Sequence, residues 1–387
     1  MLQSQLLKNS FSRSPDCIPS LFLKQTCSSL SKPLASLFTL SQKQGKLPSL
    51  WKRAIITPIY KKGLRCKTSN YRPISLTSVI CRTMERVLHE HILLFLLQNN
   101  LISDAQYGFI PGRSTLTQQL NLLNELTTNY EDKAIYDIVY LDFAKAFDSV
   151  SHSKLLYLLN HLKLDLVTLD WITDYLSNRY QQTVVQNHLS ESSVVTSGVP
   201  QGSVLGPLLF AIYLGELLNI LNDISHISVY AFADDLKIVS CNPTQLQAAL
   251  NAVEKWSYGW QLKVQPVKSE HISFSRNCSL ASSNFFINQI QIPECDQVKD
   301  LGLILSSDLK WDSYINKIHS KAVGLTYTIL KSFKTTDPFF ILTCLKCMLD
   351  QLSSITLAFG CHGLYPTSEK LNLCRHYSRE RFFKRVT

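Results

Sequence analysis

Two adjacent acids, Asp234 and Asp235, interrupt the apolar run "YAFADDLKIV" (Tyr230 to Val239). Neighbouring carboxylates repel each other and are costly to bury, so a chain that keeps them beside a strand needs a counter-charge for them. A third acid, Asp142, closes another apolar run, "IYDIVYLDF". If the two strand systems pair, Asp142 and the Asp234–Asp235 turn meet on one sheet edge. Such a cluster suits a hard divalent cation, and Mg²⁺ takes one or two protein carboxylates together with substrate phosphate oxygens. Two such ions activate an attacking hydroxyl and stabilise a leaving oxygen in phosphoryl transfer. A lone pair of acids is more often a solvated hairpin turn, so the weight falls on what surrounds it.

The acids have to be held by the elements around them. "WKRAIITPIYKKG" predicts a strand over Ala54 to Tyr60 entering a basic turn, and "RPISLTSVICRTMERVLHEHILLFLLQ" predicts a turn followed by a long helix. A strand over Ala134 to Phe143 leads to a helix with Leu155, Leu158, Leu159 and Leu162 at helical spacing. "QQTVVQNH" and "SSVVTSGV" read as a hairpin, and "ISVYAFADDLKIVS" as two short strands with the acids between them. Asn242-Pro243 caps and opens a helix with Leu246, Leu250, Val253 and Trp256 on one side. "HISFSR" and "LGLILS" are further strands, and the pattern beyond Trp311 is helical. The order is α+β: a small antiparallel sheet packed by helices, then a helical end.

The 387 residues suffice for a large core and two or three subdomains, with 45% hydrophobic and 18% charged residues. The net charge of +10 is unevenly spread: Met1 to Met84 hold fourteen Lys and Arg against one acid, Asp16, and the remainder is slightly acidic. That asymmetry fits a polyanion gripped from one side. The eleven cysteines have no disulfide-like rhythm and no secretory signal peptide is evident, so an intracellular protein, nuclear or cytoplasmic and not secreted, is expected. The longest apolar stretch, Ser203 to Leu221, contains Gly206, Pro207, Gly215 and Glu216, which predicts a buried helix and no membrane partner.

Five ordered blocks carry a family resemblance: "NYRPISLTSV", "QYGFIPGRST", "YLDFAKAFDSV", "SGVPQGSVLGPLLF" and "FADD". From about Ser14 onward the chain resembles the reverse transcriptase of non-LTR (LINE-type) retrotransposons. The resemblance implies a right-hand polymerase fold, with residues 1–50 a basic extension leading into the fingers, 51–275 fingers and palm, and 276–387 a primer-grip hairpin and partial helical thumb. It also implies two Mg²⁺ ions, with Mn²⁺ as a substitute, and RNA template, dNTPs and a DNA primer or nicked target DNA as partners. Proteins of this kind usually carry an endonuclease upstream and more sequence downstream, so the nicking activity is expected from outside this chain. A shortened polymerase acting only as an RNA- or DNA-binding remnant is the alternative.

Residue by residue, the resemblance makes Asp142, Asp234 and Asp235 metal-binding catalytic acids, with the Phe143 carbonyl as a further ligand. Phe147 matches the aromatic gate that rejects a ribose 2′-hydroxyl. Gln201 and Gly202 match the loop against the nucleotide, and Lys61 or Lys62 with Arg72 match fingers residues that reach the triphosphate, a role suited to guanidinium. Gly108, Phe109 and Arg113 match the block facing the template, with Arg113 on a backbone phosphate. Lys268 matches a lysine proposed to protonate pyrophosphate, although Gln265-Pro266 stands where an Asn is more usual. Leu301 and Gly302 match the tip of the primer grip. Cys344, Cys347, Cys361, His362, Cys374 and His376 are of types that suit zinc, but Cys344 and Cys347 lie in an apolar helical run and read as buried thiols.

Overall fold

The computed structural model describes residues 14–130, 135–274 and 283–332, together with Thr343. Its centre is a four-stranded antiparallel sheet in the order β7-β8-β3-β9, built from β3 (Tyr136–Leu141), β7 (Ser228–Phe232), β8 (Asp235–Ser240) and β9 (Glu270–Phe274). Side chains alternate between its faces. Val139 and Leu141 of β3 with Leu236 and Ile238 of β8 enter the large core, while Ile138, Tyr230, Val239, Ile272 and Phe274 enter a second, smaller one. Both faces are therefore covered, which is why these strands read as nearly continuous apolar runs.

The large core is organised around the helix Leu205–Asn222, buried from Leu205 to Leu221 on nearly all sides. Its length and hydropathy would suffice to cross a membrane, yet it is a core helix packed by its neighbours. Val204 at its start offers no side-chain cap, and Ser203 Oγ takes only the Gly206 amide, at 3.0 Å. The fully buried Glu85, on the helix Val79–Gln98, instead accepts the amides of Val204 and Leu205 at 2.7 and 3.1 Å. A carboxylate there answers both the unpaired amides and the positive end of the helix dipole.

A second sheet, not anticipated as such, joins β1 (Arg53–Tyr60) to β2 (Tyr71–Leu76) antiparallel and to β4 (Arg179–Val185) parallel; β5 (His188–Leu189) and β6 (Ser193–Val195) pair with β4. β2 corrects the expectation of a turn at "RPISL". Pro73 lacks an amide hydrogen, but β2 is an edge strand, where a missing donor is tolerated. The parallel β1–β4 pair spans more than a hundred residues of sequence and has no local signal. The N-terminal residues form the helices Ser20–Gln25 and Cys27–Gln44.

Beyond β9, a short ribbon β10–β11 (Phe286–Ile287, Ile290–Gln291) precedes the hairpin β12–β13 (Gln297–Asp300, Leu303–Ser306) and the helix Asp312–Ser332. The Asn242 side chain caps the helix Pro243–Trp260 as expected, accepting from Thr244 and Gln245 at 3.0 and 3.3 Å. The cysteines and histidines weighed for zinc lie outside the described residues.

Candidate active site

The register of the central sheet brings the acids together. Leu141 pairs with Leu236, and the next step along both strands sets Asp142 opposite Asp235. Facing residues of adjacent strands hold their Cβ atoms about 4.5–5.5 Å apart. Phe232 pairs with Asp235, leaving Ala233 and Asp234 as a two-residue hairpin loop. Ala233 has φ 58, a conformation that costs a non-glycine residue about 1–2 kcal/mol and has to be enforced by its surroundings. Gln106 does so: its Oε1 accepts the amides of Gly108 and Ala233 at 2.8 and 3.2 Å, and the side chain is buried. The backbone around it extends the sheet past β7, with Tyr107 N donating to Ala231 O and Ala231 N to Ala105 O, each at 2.8 Å.

Electrostatically the edge is short of positive charge. None of Asp142, Asp234 and Asp235 has a salt-bridge partner among the described residues. Burial raises the pKa of Asp234, and repulsion from Asp142 adds to it, while Lys61 and Arg72 pull it back. Asp235 is open to solvent on one side, yet desolvation on the other and the charges of Asp234 and Asp300 push it up to about 6, with Lys237 opposing. The turn Pro266–Lys268 grips Asp142 from behind, with Gln265 N donating to Asp142 O at 2.8 Å and Asp142 N to Ser269 Oγ at 3.2 Å. Phe143 forms an isolated bridge with Val264 whose two bonds use Asp142 O and Ala144 N, so its own carbonyl is left out of them.

Lys61, Lys62 and Arg72 are exposed at the β1–β2 end of the second sheet, and Lys61 and Arg72 are the two whose charge reaches Asp234. Phe147 stacks on Phe210 with ring centroids 4.5 Å apart and meets Phe109 edge-on at 6.4 Å. The Gln201–Gly202 loop is fixed from two sides. Ser75 N of β2 donates to Gln201 O at 2.7 Å, and Gln201 Nε2 donates to Asp148 Oδ1 at 3.0 Å. Gly202 has φ 113, and a Cβ there would lie 2.7 Å from Ser75 O, so only glycine fits.

Gly108 packs against the Ala233–Asp234 turn, where a Cβ on it would come within 2.5 Å of Ala233 N. Arg113 spends its guanidinium on its own loop: Nη1 donates to Ser103 O and Gln106 O at 2.8 and 2.7 Å, and Nη2 pairs with Asp104 at 2.7 Å. Phe109 keeps a 43% exposed ring. Leu301 and Gly302 form the two-residue loop of β12–β13, with φ 46 and 106, and positive φ at both is the pattern of a tight hairpin turn. Leu301 and Lys268 line a cleft of about 150 Å³ together with Asp142 and Asp235. Gln106 and Asp148 were not singled out from the sequence. Ala233 and Gln201, the partners that matter here, lie in other motifs, and no local sequence signal marks either contact.

Comparison with known proteins gives this geometry its class. A family model described as reverse transcriptase (RNA-dependent DNA polymerase) matches residues 59–305, and the chain belongs to that family. It is 29% identical over 280 residues to a protein named probable RNA-directed DNA polymerase from transposon BS of Drosophila melanogaster, covering 69% of this chain and 31% of the relative. The RNA-directed DNA polymerase from mobile element jockey of the same species is 27% identical over 299 residues, 74% of this chain and 32% of its own length. A Pol polyprotein from the type-1 retrotransposable element R2 of Popillia japonica is 29% identical over 270 residues, 66% of this chain and 37% of the relative. The chain thus spans about a third of the length of these relatives. Among solved structures, apo telomerase from Candida tropicalis, truncated from its C-terminal domain, superimposes with a TM-score of 0.50 at 12% identity, over 73% of this chain and 59% of that one, a likeness of fold.

Reverse transcriptases work with divalent metal ions, and the donor set here fits one. It offers hard carboxylate oxygens, and the pKa values of Asp234 and Asp235, raised first by burial and then by neighbouring carboxylates, mark charge that a cation would offset. Among the described residues no three His, Cys, Asp or Glu side chains converge closely enough to enclose an ion by themselves. The rest of a coordination sphere would come from water and substrate phosphates, the usual habit of Mg²⁺.

Proposed function

We propose that the chain is the polymerising part of an RNA-directed DNA polymerase of the non-LTR retrotransposon kind. It would add dNTPs to the 3′-hydroxyl of a DNA primer, or of nicked target DNA, along an RNA template. The observation that carries this reading is that Asp142, one step past the Leu141–Leu236 pair, shares a cleft with Asp235, with Asp234 in the adjoining turn. The charges of Lys61 and Arg72 reach Asp234, and Leu301 lines the cleft with Asp142 and Asp235.

In this reading a bond forms between the primer 3′ oxygen and the α-phosphorus of the dNTP, and the bond to the β-phosphate oxygen breaks to release pyrophosphate. Asp142, Asp234 and Asp235 with the Phe143 carbonyl would hold two Mg²⁺ ions, or Mn²⁺ in their place, which when bound would supply positive charge to acidify the 3′-hydroxyl and to stabilise the departing phosphates. Lys61 and Arg72, with Lys62 beside them, orient the triphosphate. The Phe147 ring, braced by Phe210, closes the space where a 2′-hydroxyl would sit. Gln201, set by Asp148 and by β2, lies against the nucleotide. Lys268 lines the same cleft as Asp142 and Asp235 and would protonate the departing pyrophosphate.

Primer extension on an RNA template with Mg²⁺, wild type beside Asp234→Asn, tests the reading. It expects extension by the wild type and none by the variant. Equal extension by both would sink the site assignment, and salt-sensitive RNA binding without any incorporation would favour a binding protein.

A further inference from the structure

One charged group close to the acids is not accounted for by the chemistry above. Lys237 stands two residues beyond Asp235 on β8, hence on the same face of the sheet. Its Nζ lies 2.5 Å from Asp300 Oδ2, with the two side chains 3% and 4% exposed. Tyr140, across the sheet from Lys237, donates its hydroxyl to the same carboxylate oxygen at 3.3 Å. Gln119 Nε2 donates to the Asp300 carbonyl at 3.1 Å. One residue at the end of β12 is thus tied to β8, to β3 and to the helix Thr115–Tyr130.

β12 and β13 form a separate two-stranded sheet and share no strand ladder with the central one. The backbone anchors only the approach to β12, where His271 N of β9 donates to Pro293 O at 2.9 Å and Cys295 N to His271 O at 2.8 Å; beyond Cys295, side chains decide how high the hairpin tip rides over the catalytic edge. Val298 and Leu305 supply apolar contact, which is non-directional and tolerates sliding. A buried ion pair has essentially one good geometry. It adds little stability over apolar residues of the same volume, and register is the best-attested use of such a pair. Asp300 immediately precedes the Leu301–Gly302 tip, and Leu301 lines the cleft of about 150 Å³ opposite Asp142 and Asp235.

We infer that Lys237 and Asp300 form a clamp that sets the distance between the β12–β13 tip and the catalytic edge, so that a primer strand in the cleft presents its 3′ end to Asp142 and Asp235. They are positioning residues, and the inference rests on the polymerase reading above.

The test varies primer–template and dNTP separately in steady-state extension on an RNA template. The variants are Lys237→Met, Asp300→Asn, their combination, and Lys237→Met/Asp300→Leu, each with a melting curve. The expected result is a loss of about a hundredfold in kcat/KM for primer–template in each single variant, with the KM for dNTP little changed. The combination of the two singles should cost no more than the worse of them, the mark of coupled residues. Lys237→Met/Asp300→Leu leaves no unpaired buried charge, so it should melt near the wild type and still bind primer–template poorly. A wild-type KM for primer–template in that variant, or single losses that multiply, would overturn the clamp. So would a fall of all kinetic constants together with the melting temperature.

If the wild type incorporates no nucleotide, the polymerase reading fails by itself. The clamp is then judged by equilibrium binding of a fluorescent recessed primer–template against a blunt duplex of equal length. It predicts that the wild type prefers the recessed end and Asp300→Asn does not; a wild type without preference overturns it.

Discussion

The strand β3 carries an acid at each end, and the two live in opposite circumstances. Asp137, at its start, is 1% exposed and fully answered: His271 Nε2 donates to it at 2.9 Å and Ser273 Oγ at 2.5 Å, both from β9. Asp142, just past the other end, is half-buried, faces Asp235, and has no salt-bridge partner among the described residues. A buried charge with its partners in the chain belongs to the fold. A crowd of charges whose partners are missing from the chain waits for a ligand. The seven-residue stretch Asp137 to Phe143 therefore holds one acid answered within the fold and one, left without such partners, to which the proposed function gives the catalytic role, although both stand in the same apolar run.

The sharpest way to break this contrast is to remove each acid in turn. Asp137→Ala should destabilise the protein by about 3–5 kcal/mol, because it strands His271 and Ser273 in a dry place; thermal or denaturant unfolding measures it. Asp142→Asn should leave stability equal or higher and remove extension. Phe147→Ala comes next in size. It should relax discrimination between dNTP and rNTP by about ten- to a hundredfold in kcat/KM, with a smaller loss of stability from the emptied stack on Phe210.

Gly108→Ala probes the support of the turn. Its new methyl would meet Ala233 N at 2.5 Å, so the Asp234 loop must move, and kcat should fall about tenfold or more with the fold retained. Single-nucleotide incorporation beside circular dichroism separates the two effects.

The smallest effect is electrostatic. Asp235 has its pKa raised from 3.8 to about 6 in the folded state, so the folded protein holds more protons than the unfolded one between those values. Without divalent cation, this group makes stability fall as pH rises from about 4 to about 6. Asp235→Asn should remove that fall and stabilise the metal-free protein at pH 7 by about 1 kcal/mol, once solvent screening of a partly open side chain is allowed for. Melting curves across that pH range, in a chelating buffer, check it.

Much of the site was legible because its signals are local. The acids sit on a strand–turn–strand pattern, and the order of the five blocks carries the family. The helix opened by Asn242-Pro243 and the strand over β1 follow from capping and alternation alone. What could not be read depends on pairings far apart in the chain. Gln106 reaches Ala233 across 127 residues, and Lys237 reaches Asp300 across 63. In the sequence Lys237 is a lysine in a strand, which ordinarily reads as a solvated charge. Nothing in "GFIPGRS" says that the Arg113 guanidinium folds back onto Ser103 and Asp104. "RPISL" reads as a turn in the sequence, and only the sheet order reveals an edge strand, where Pro73 is tolerated.

The measurement closest to the central claim is single-nucleotide incorporation by Asp142→Asn on an RNA template with Mg²⁺, paired with its melting temperature. The account predicts no detectable incorporation and a melting temperature at or above that of the wild type. Incorporation at the wild-type rate, or a melting temperature lowered as far as that of Asp137→Ala, would contradict it.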